Sequence, residues 1–221
     1  MSQLIFALQT EVRGIELPMS PEFVDVGATI AAGCFAEWRH THVFYRDDDY
    51  ERAFSPKIRG HIKAAERVAD IVICDHPHTF AFDRAIKSTS ESDLVQRQKL
   101  SLMLHAQGKA KSFIAQTSKG VSGGAFLVFD HRTAYLFHSW FERDVSRGIP
   151  SLLIRECIHW AFKVAQLTRF DFEGSIIASI DQFMTGFGAR IEPYSYLYWD
   201  TKAAVLLRRI QASLEMGGRC K

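Results

Sequence analysis

Three short apolar segments follow one another almost without interruption: SFIAQT (112–117), GAFLVF (124–129) and TAYLFHSW (133–140). Each is rich in β-branched and aromatic residues, and Lys119-Gly120 and His131-Arg132 supply a turn on either side of the middle one, so they predict an antiparallel meander. Pro150 to Gln166 follows with Leu153, Cys157, Trp160, Ala161 and Val164 on one face of a helix. The next strand, RFDF (169–172), comes after this crossover helix and should therefore lie parallel to the last meander strand.

The flanking segments extend the pattern. DIVIC (70–74) reads as a strand, and helices are expected over His78–Ser90 and Ser92–Gln107, with Gly108 as the C-cap. Downstream, Ile176, Ile180, Phe183 and Phe187 stripe a helix, Glu192 to Trp199 forms a strand, and Thr201 to Met216 forms a helix stopped by Gly217-Gly218. The order from Asp70 is β-α-α-β-β-β-α-β-α-β, which predicts an α/β domain whose mixed central sheet carries helices on both faces. Upstream, Gln3–Leu8 reads as a strand and Ser20-Pro21 as the start of a helix running from Phe23 through Trp38. His40–Tyr45 reads as a strand and Asp47–Asp49 as a solvated turn. Ser55-Pro56 opens a helix whose Ile58, Ile62, Ala65 and Ala69 form one apolar stripe.

With 221 residues, 47% hydrophobic and 24% charged, the chain suits an ordinary globular domain. No run approaches the ~20 apolar residues that cross a bilayer. The N-terminus lacks a basic n-region, so no signal peptide and a cytoplasmic location are expected. A formal net charge of +2 shows no concentrated basic footprint of a nucleic-acid binder. Cys34, Cys74, Cys157 and Cys220 are too scattered for a disulfide framework or zinc ribbon, the histidines form no HExxH motif, and His76 and His78 flank Pro77 without further ligand spacing, so no metal is expected.

Three stretches carry a family resemblance: SPKIRGHIKAAERV (55–68), GGAFLVFDHRTAYLFHSW (123–140) and FDFEGSIIASIDQFMTGFGARIEPY (170–194). In content and order they resemble the C-terminal domain of FemAB-type proteins, within the GNAT superfamily of acyltransferases. The resemblance spans Phe54 to Trp199, with GIELP (14–18) as a weaker match. It implies a GNAT-like acyl-CoA N-acyltransferase domain over 54–221, and over 1–53 the remnant of a first such domain packed on it. The final GNAT strand is missing after Trp199. The expectation is that residues 3–8 fill its place; a second copy in a homodimer could also complete the sheet.

The same resemblance implies a site. GNAT proteins hold the donor pyrophosphate on backbone amides where the helix after the meander begins, because a helix N-terminus offers unsatisfied N–H groups and a positive dipole end. Here that place falls on Arg147, Gly148 and Ser151, with Pro150 removing one donor, and it reads either as an anion cradle or as a plain helix start. Backbone amides of Ser139, Trp140 and Phe141 are expected to clamp the acyl carbonyl. Asp171 and Glu173 share one face at the end of their strand, where a carboxylate could take the proton of an attacking amine. Equally, Asp171 could pair with Arg169 or Arg143, and Glu173 could bind turn amides. His138 is either a base or a packed strand residue, and Tyr194 or Tyr196 either the acid for the leaving thiol or plain strand residues. Ser175 is either an N-cap or a substrate contact. Arg59 and Lys63, one helical turn apart, read either as a solvated face or as phosphate contacts. Three functions follow: transfer from acyl-CoA to an amine of a small molecule, sugar or peptide; transfer from aminoacyl-tRNA to a cell-wall peptide; or binding by a degenerate fold without catalysis.

Overall fold

The computed structural model describes residues 5, 7, 14–23, 25–74, 91–142, 148–174 and 177–200. Two compact units emerge, Met1–His40 with Glu192–Lys221, and Thr41–Ile191.

The larger unit has the strand order β2-β7-β6-β5-β4-β3. Its strands are β2 (Phe35–Tyr45, entering at Thr41), β3 (Ala69–Cys74), β4 (Ala110–Thr117), β5 (Gly120–Phe129), β6 (Thr133–Phe141) and β7 (Arg169–Asp171). The meander β4-β5-β6 is antiparallel, as its turn spacing predicted. Asp130 tightens the second turn by accepting the N–H groups of Arg132 and Thr133, each at 2.7 Å. As expected, β7 runs parallel to β6, pairing Thr133 with Arg169 and Tyr135 with Asp171. On its other side β7 pairs antiparallel with β2, placing Val43 opposite Asp171.

Of the helices in this unit, α2 (Tyr50–Ala53) is a single turn capped by Asp49, and α3 (Pro56–Ala65) begins where the sequence placed it. Ser55 Oγ accepts the Ile58 N–H, and Pro56 fills the first turn at no hydrogen-bonding cost. Ile58, Ile62 and Ala65 are buried, so the apolar stripe is the packing face. Helix α4 spans Glu91–Ala106 and ends at Gly108, whose φ of 65° makes it the left-handed cap. The expected helix at 78–90 lies outside the described residues.

Helix α5 (Ile149–His159) follows β6 and continues as one π turn over Trp160–Val164, with the Ala165 N–H bonded to Trp160 O. Leu153, Cys157, Trp160 and Ala161 are buried as predicted, but Val164 is 63% exposed. The extra residue in the π turn rotates Val164 off the apolar face and turns Phe162 inward instead. Helix α6 is shorter than its stripe suggested, Ala178–Thr185, with Ile180 exposed and Met184 buried. Phe187 is fully buried just beyond its end. There Gly188, at φ 76°, lets the chain pass so close to Ala53 that a Cβ would stand 2.3 Å from the Ala53 carbonyl oxygen.

The core of this unit lies between the sheet and helices α3 and α5. Phe44, Phe54, Phe170, Phe172 and Phe187 interlock there with ring centroids 5.2–6.3 Å apart. Each such buried ring contributes roughly 1.5–3 kcal/mol from burial.

The smaller unit contains β1 (Gly14–Pro18), α1 (Gly27–Ala31), the first half of β2 and most of β8 (Arg190–Asp200). Two expectations are corrected here. The helix expected over Phe23–Trp38 reduces to α1, because Gly33 at φ 84° reverses the chain and the aromatic, β-rich run from Phe35 then enters β2. Ser20 caps only a turn, accepting the Glu22 N–H at 3.3 Å. Strand β8 stands between β1 and β2, and β1 pairs with it antiparallel from Gly14 opposite Asp200 to Pro18 opposite Tyr196. In the stretch that was expected to form this strand, Ile5 and Ala7 are helical; Ile5 is buried in a cluster with Ala32 and Cys34. The helix expected from Thr201 lies outside the described residues.

Candidate active site

Parallel strands β6 and β7 stay paired only from Thr133/Arg169 to Tyr135/Asp171. Beyond that point β6 continues to Phe141 along β5, while the other chain turns away and gives its Phe172 N–H to His42 O at 3.0 Å. Among the described residues, β7 therefore places no residue opposite the Leu136–Phe141 stretch of β6.

At the fork stands the acidic pair. Asp171 is buried, and its carboxylate is committed: Oδ1 accepts the Thr41 hydroxyl and the Glu173 N–H at 2.7 Å, and Oδ2 pairs with Arg169 at 2.9 Å. The pairing with Arg169 is the one foreseen as an alternative to catalysis. Phe172 points into the core, and Glu173 is exposed. Glu173 and Gly174 both have φ of 61°, so two successive residues sit in the left-handed region. For a glutamate this costs on the order of 1–2 kcal/mol, which the Asp171 clamp offsets.

A second polar contact lies on the neighbouring strand β2, and the sequence did not signal it. His42 is fully buried, with its Nε2 2.9 Å from Oδ1 of Asp181 in α6 and its ring edge-on to Phe172. The two residues are 139 positions apart, so only the fold brings them together.

Along β6, His138 is half-buried opposite Phe126, Ser139 faces Ala125, Trp140 faces Gly124 and Phe141 faces Gly123. The glycine pair makes room for these rings. A Cβ on Gly124 would stand 2.8 Å from Trp140 Nε1, and one on Gly123 would stand 3.1 Å from the Phe141 ring. The buried Trp140 Nε1 has no hydrogen-bond partner.

Helix α5 starts at Gly148, with no side-chain cap. Gly148 is needed there for packing, since a Cβ would lie 2.0 Å from the His61 carbonyl oxygen of α3. Ser151, in the first turn, is fully buried and its Oγ has no partner. Arg147 and Ser175 lie outside the described residues. Arg59 donates to the carbonyls of Phe54 at 2.6 Å and Arg52 at 3.3 Å, tying α2 to α3, while Lys63 is exposed. Tyr194, in β8, belongs to the smaller unit and is half-buried. In the same strand Tyr196 donates to Glu16 at 2.8 Å; burial and that carboxylate hold its phenol above the ordinary tyrosine range, which weakens it as an acid.

Neither a protein-family model nor any curated protein sequence matches this chain. Solved structures do. FemX aligns with a TM-score of 0.59 at 12% identity, over 88% of this chain and 76% of that one. The C-terminal domain (DUF2156) of a lysylphosphatidylglycerol synthetase from Agrobacterium fabrum, itself described as putative, aligns with a TM-score of 0.57 at 12% identity, over 96% and 75%. A tandem GNAT protein from the clavulanic acid biosynthesis pathway aligns with a TM-score of 0.55 at 10% identity, over 90% and 68%. The chain thus has the GNAT fold, in a form similar to FemX and to the lysylphosphatidylglycerol synthetase domain.

Proposed function

We propose that this protein is an N-acyltransferase that moves an acyl group from acyl-CoA to an amine of a small molecule, sugar or peptide. The observation that carries the reading is the fork of β6 and β7, with Glu173 held out at its end in a strained turn. In this reading the donor lies along the Leu136–Phe141 edge, with its thioester carbonyl on the amides of Ser139 to Phe141. The N-terminus of α5, with the preceding Arg147, takes the pyrophosphate. The acceptor nitrogen attacks the carbonyl, its proton passes to Glu173, and coenzyme A leaves as the thiolate and is then protonated, so that an amide and free coenzyme A result. Asp171, already bound by three donors, holds the Glu173 turn.

The acyltransferase reading is tested with acetyl-CoA and a panel of amines, following thiol release. Glu173→Gln should lower kcat by about 10²–10⁴ and leave donor affinity unchanged. Transfer at the wild-type rate by that variant would remove Glu173 from the reaction.

The exposed cations on and just after α3, namely Lys57, Lys63 and Arg67, favour a second reading, in which the donor is aminoacyl-tRNA. Salt-sensitive binding of tRNA that falls when Lys63 is replaced would support it. On either reading, residues 1–53 belong to a first domain of the same kind, and the protein works in the cytoplasm.

A further inference from the structure

We infer a second ligand site, in the groove between α3 and α5, for a small molecule that bears one carboxylate or phosphate on an apolar body. The groove measures about 270 Å³. Phe54 and Ile62 give it an apolar lining, Arg59, Lys63 and Arg155 bring three positive charges, and Glu51 and Glu66 bring two negative ones. The balance of the lining residues, 3 − 2 = +1, matches a single anionic group.

A solvated helix face carries mobile charges, whereas two of these are already fixed. Arg59 is tethered to the carbonyls of Phe54 and Arg52. Arg155 lies between Glu66 and Glu156, 2.7 Å from each, and its buried Nε has no acceptor. A ligand meeting held guanidinium groups loses little side-chain entropy on their account. Lys63 and Glu51, by contrast, have no ion-pair partner among the described residues. Arg155 lies about 10 Å along the helix axis from Gly148, so the groove is separate from the start of α5. The inference does not rest on the acyltransferase reading.

The test uses the full chain titrated with phenyl phosphate and benzoate, beside inorganic phosphate and benzyl alcohol, which carry only the charge or only the ring. One of the two aromatic anions should bind in the millimolar range, and whichever is tighter identifies the anion class. Inorganic phosphate and benzyl alcohol should each be weaker by about tenfold. Lys63→Ala, which breaks no ion pair among the described residues, should weaken the aromatic anion by about tenfold, while Lys57→Ala, outside the groove, should leave it unchanged. No binding of either aromatic anion, or equal affinity in the Lys63 variant, would overturn the site. So would an RNA oligonucleotide that binds more tightly than both and competes with them.

Discussion

Asp171 Oδ1 accepts the backbone N–H of Glu173 at 2.7 Å, closing a turn in which Glu173 adopts φ 61°. A buried carboxylate thus holds an exposed one in a conformation that an L-residue rarely adopts. The first prediction follows from that strain. Glu173→Gly should be more stable than Glu173→Ala, by up to about 1 kcal/mol, while both abolish transfer. Urea denaturation alongside the thiol-release assay reads both effects, and a glycine variant no more stable than the alanine one would show that the turn is not strained.

Removing the clamp should act in the opposite direction. Asp171→Ala leaves Arg169 as a nearly buried charge and the Thr41 hydroxyl without its acceptor. The expected cost is about 3–5 kcal/mol, with Asp171→Asn intermediate because its amide oxygen still accepts from Glu173 and Thr41. A loss below about 1 kcal/mol for the alanine variant would mean that Arg169 finds another partner.

Gly148→Ala tests the contact that joins α3 to α5. Its methyl group would have to displace the His61 carbonyl, so the helices must separate at a cost of about 1–3 kcal/mol or more. Unchanged thermal unfolding of this variant would mean that the two helices do not approach so closely.

Acid sensitivity should localise in part to the turn after β5. Burial pushes the Asp130 carboxyl up, but the N–H groups of Arg132 and Thr133, with His131 nearby, outweigh it and leave its pKa lowered. A lowered carboxylate pKa contributes stability that is fully present above the unfolded value of about 3.9 and is lost as pH falls through the folded one. The stability gap between parent and Asp130→Asn should therefore be constant near neutrality and close in acid. A gap independent of pH would rule this out.

The parts of the fold that the sequence displayed are those set by local period and turn chemistry. The meander, the Ser55-Pro56 helix start and the parallel placement of β7 all follow from residues close together in the chain. What stayed hidden depended on distant or subtle causes. One extra residue in the π turn moved Val164 outward, and Gly33 turned an expected helix into the approach to β2. At the site, Arg169 and Asp171 were legible as neighbours on one strand face, whereas His42 and Asp181 meet only because α6 packs back on the sheet. Gly123 and Gly124 read as ordinary strand residues until Trp140 and Phe141 are seen to occupy the space that side chains there would need.

The central claim, that the fork of β6 and β7 receives an acyl donor, is tested most directly by calorimetric titration of the full chain with coenzyme A and acetyl-CoA. The account predicts saturable binding of both, weakened in Arg147→Ala and retained in Glu173→Gln. No heat of binding at millimolar ligand, by a protein that unfolds cooperatively and is therefore intact, would contradict it.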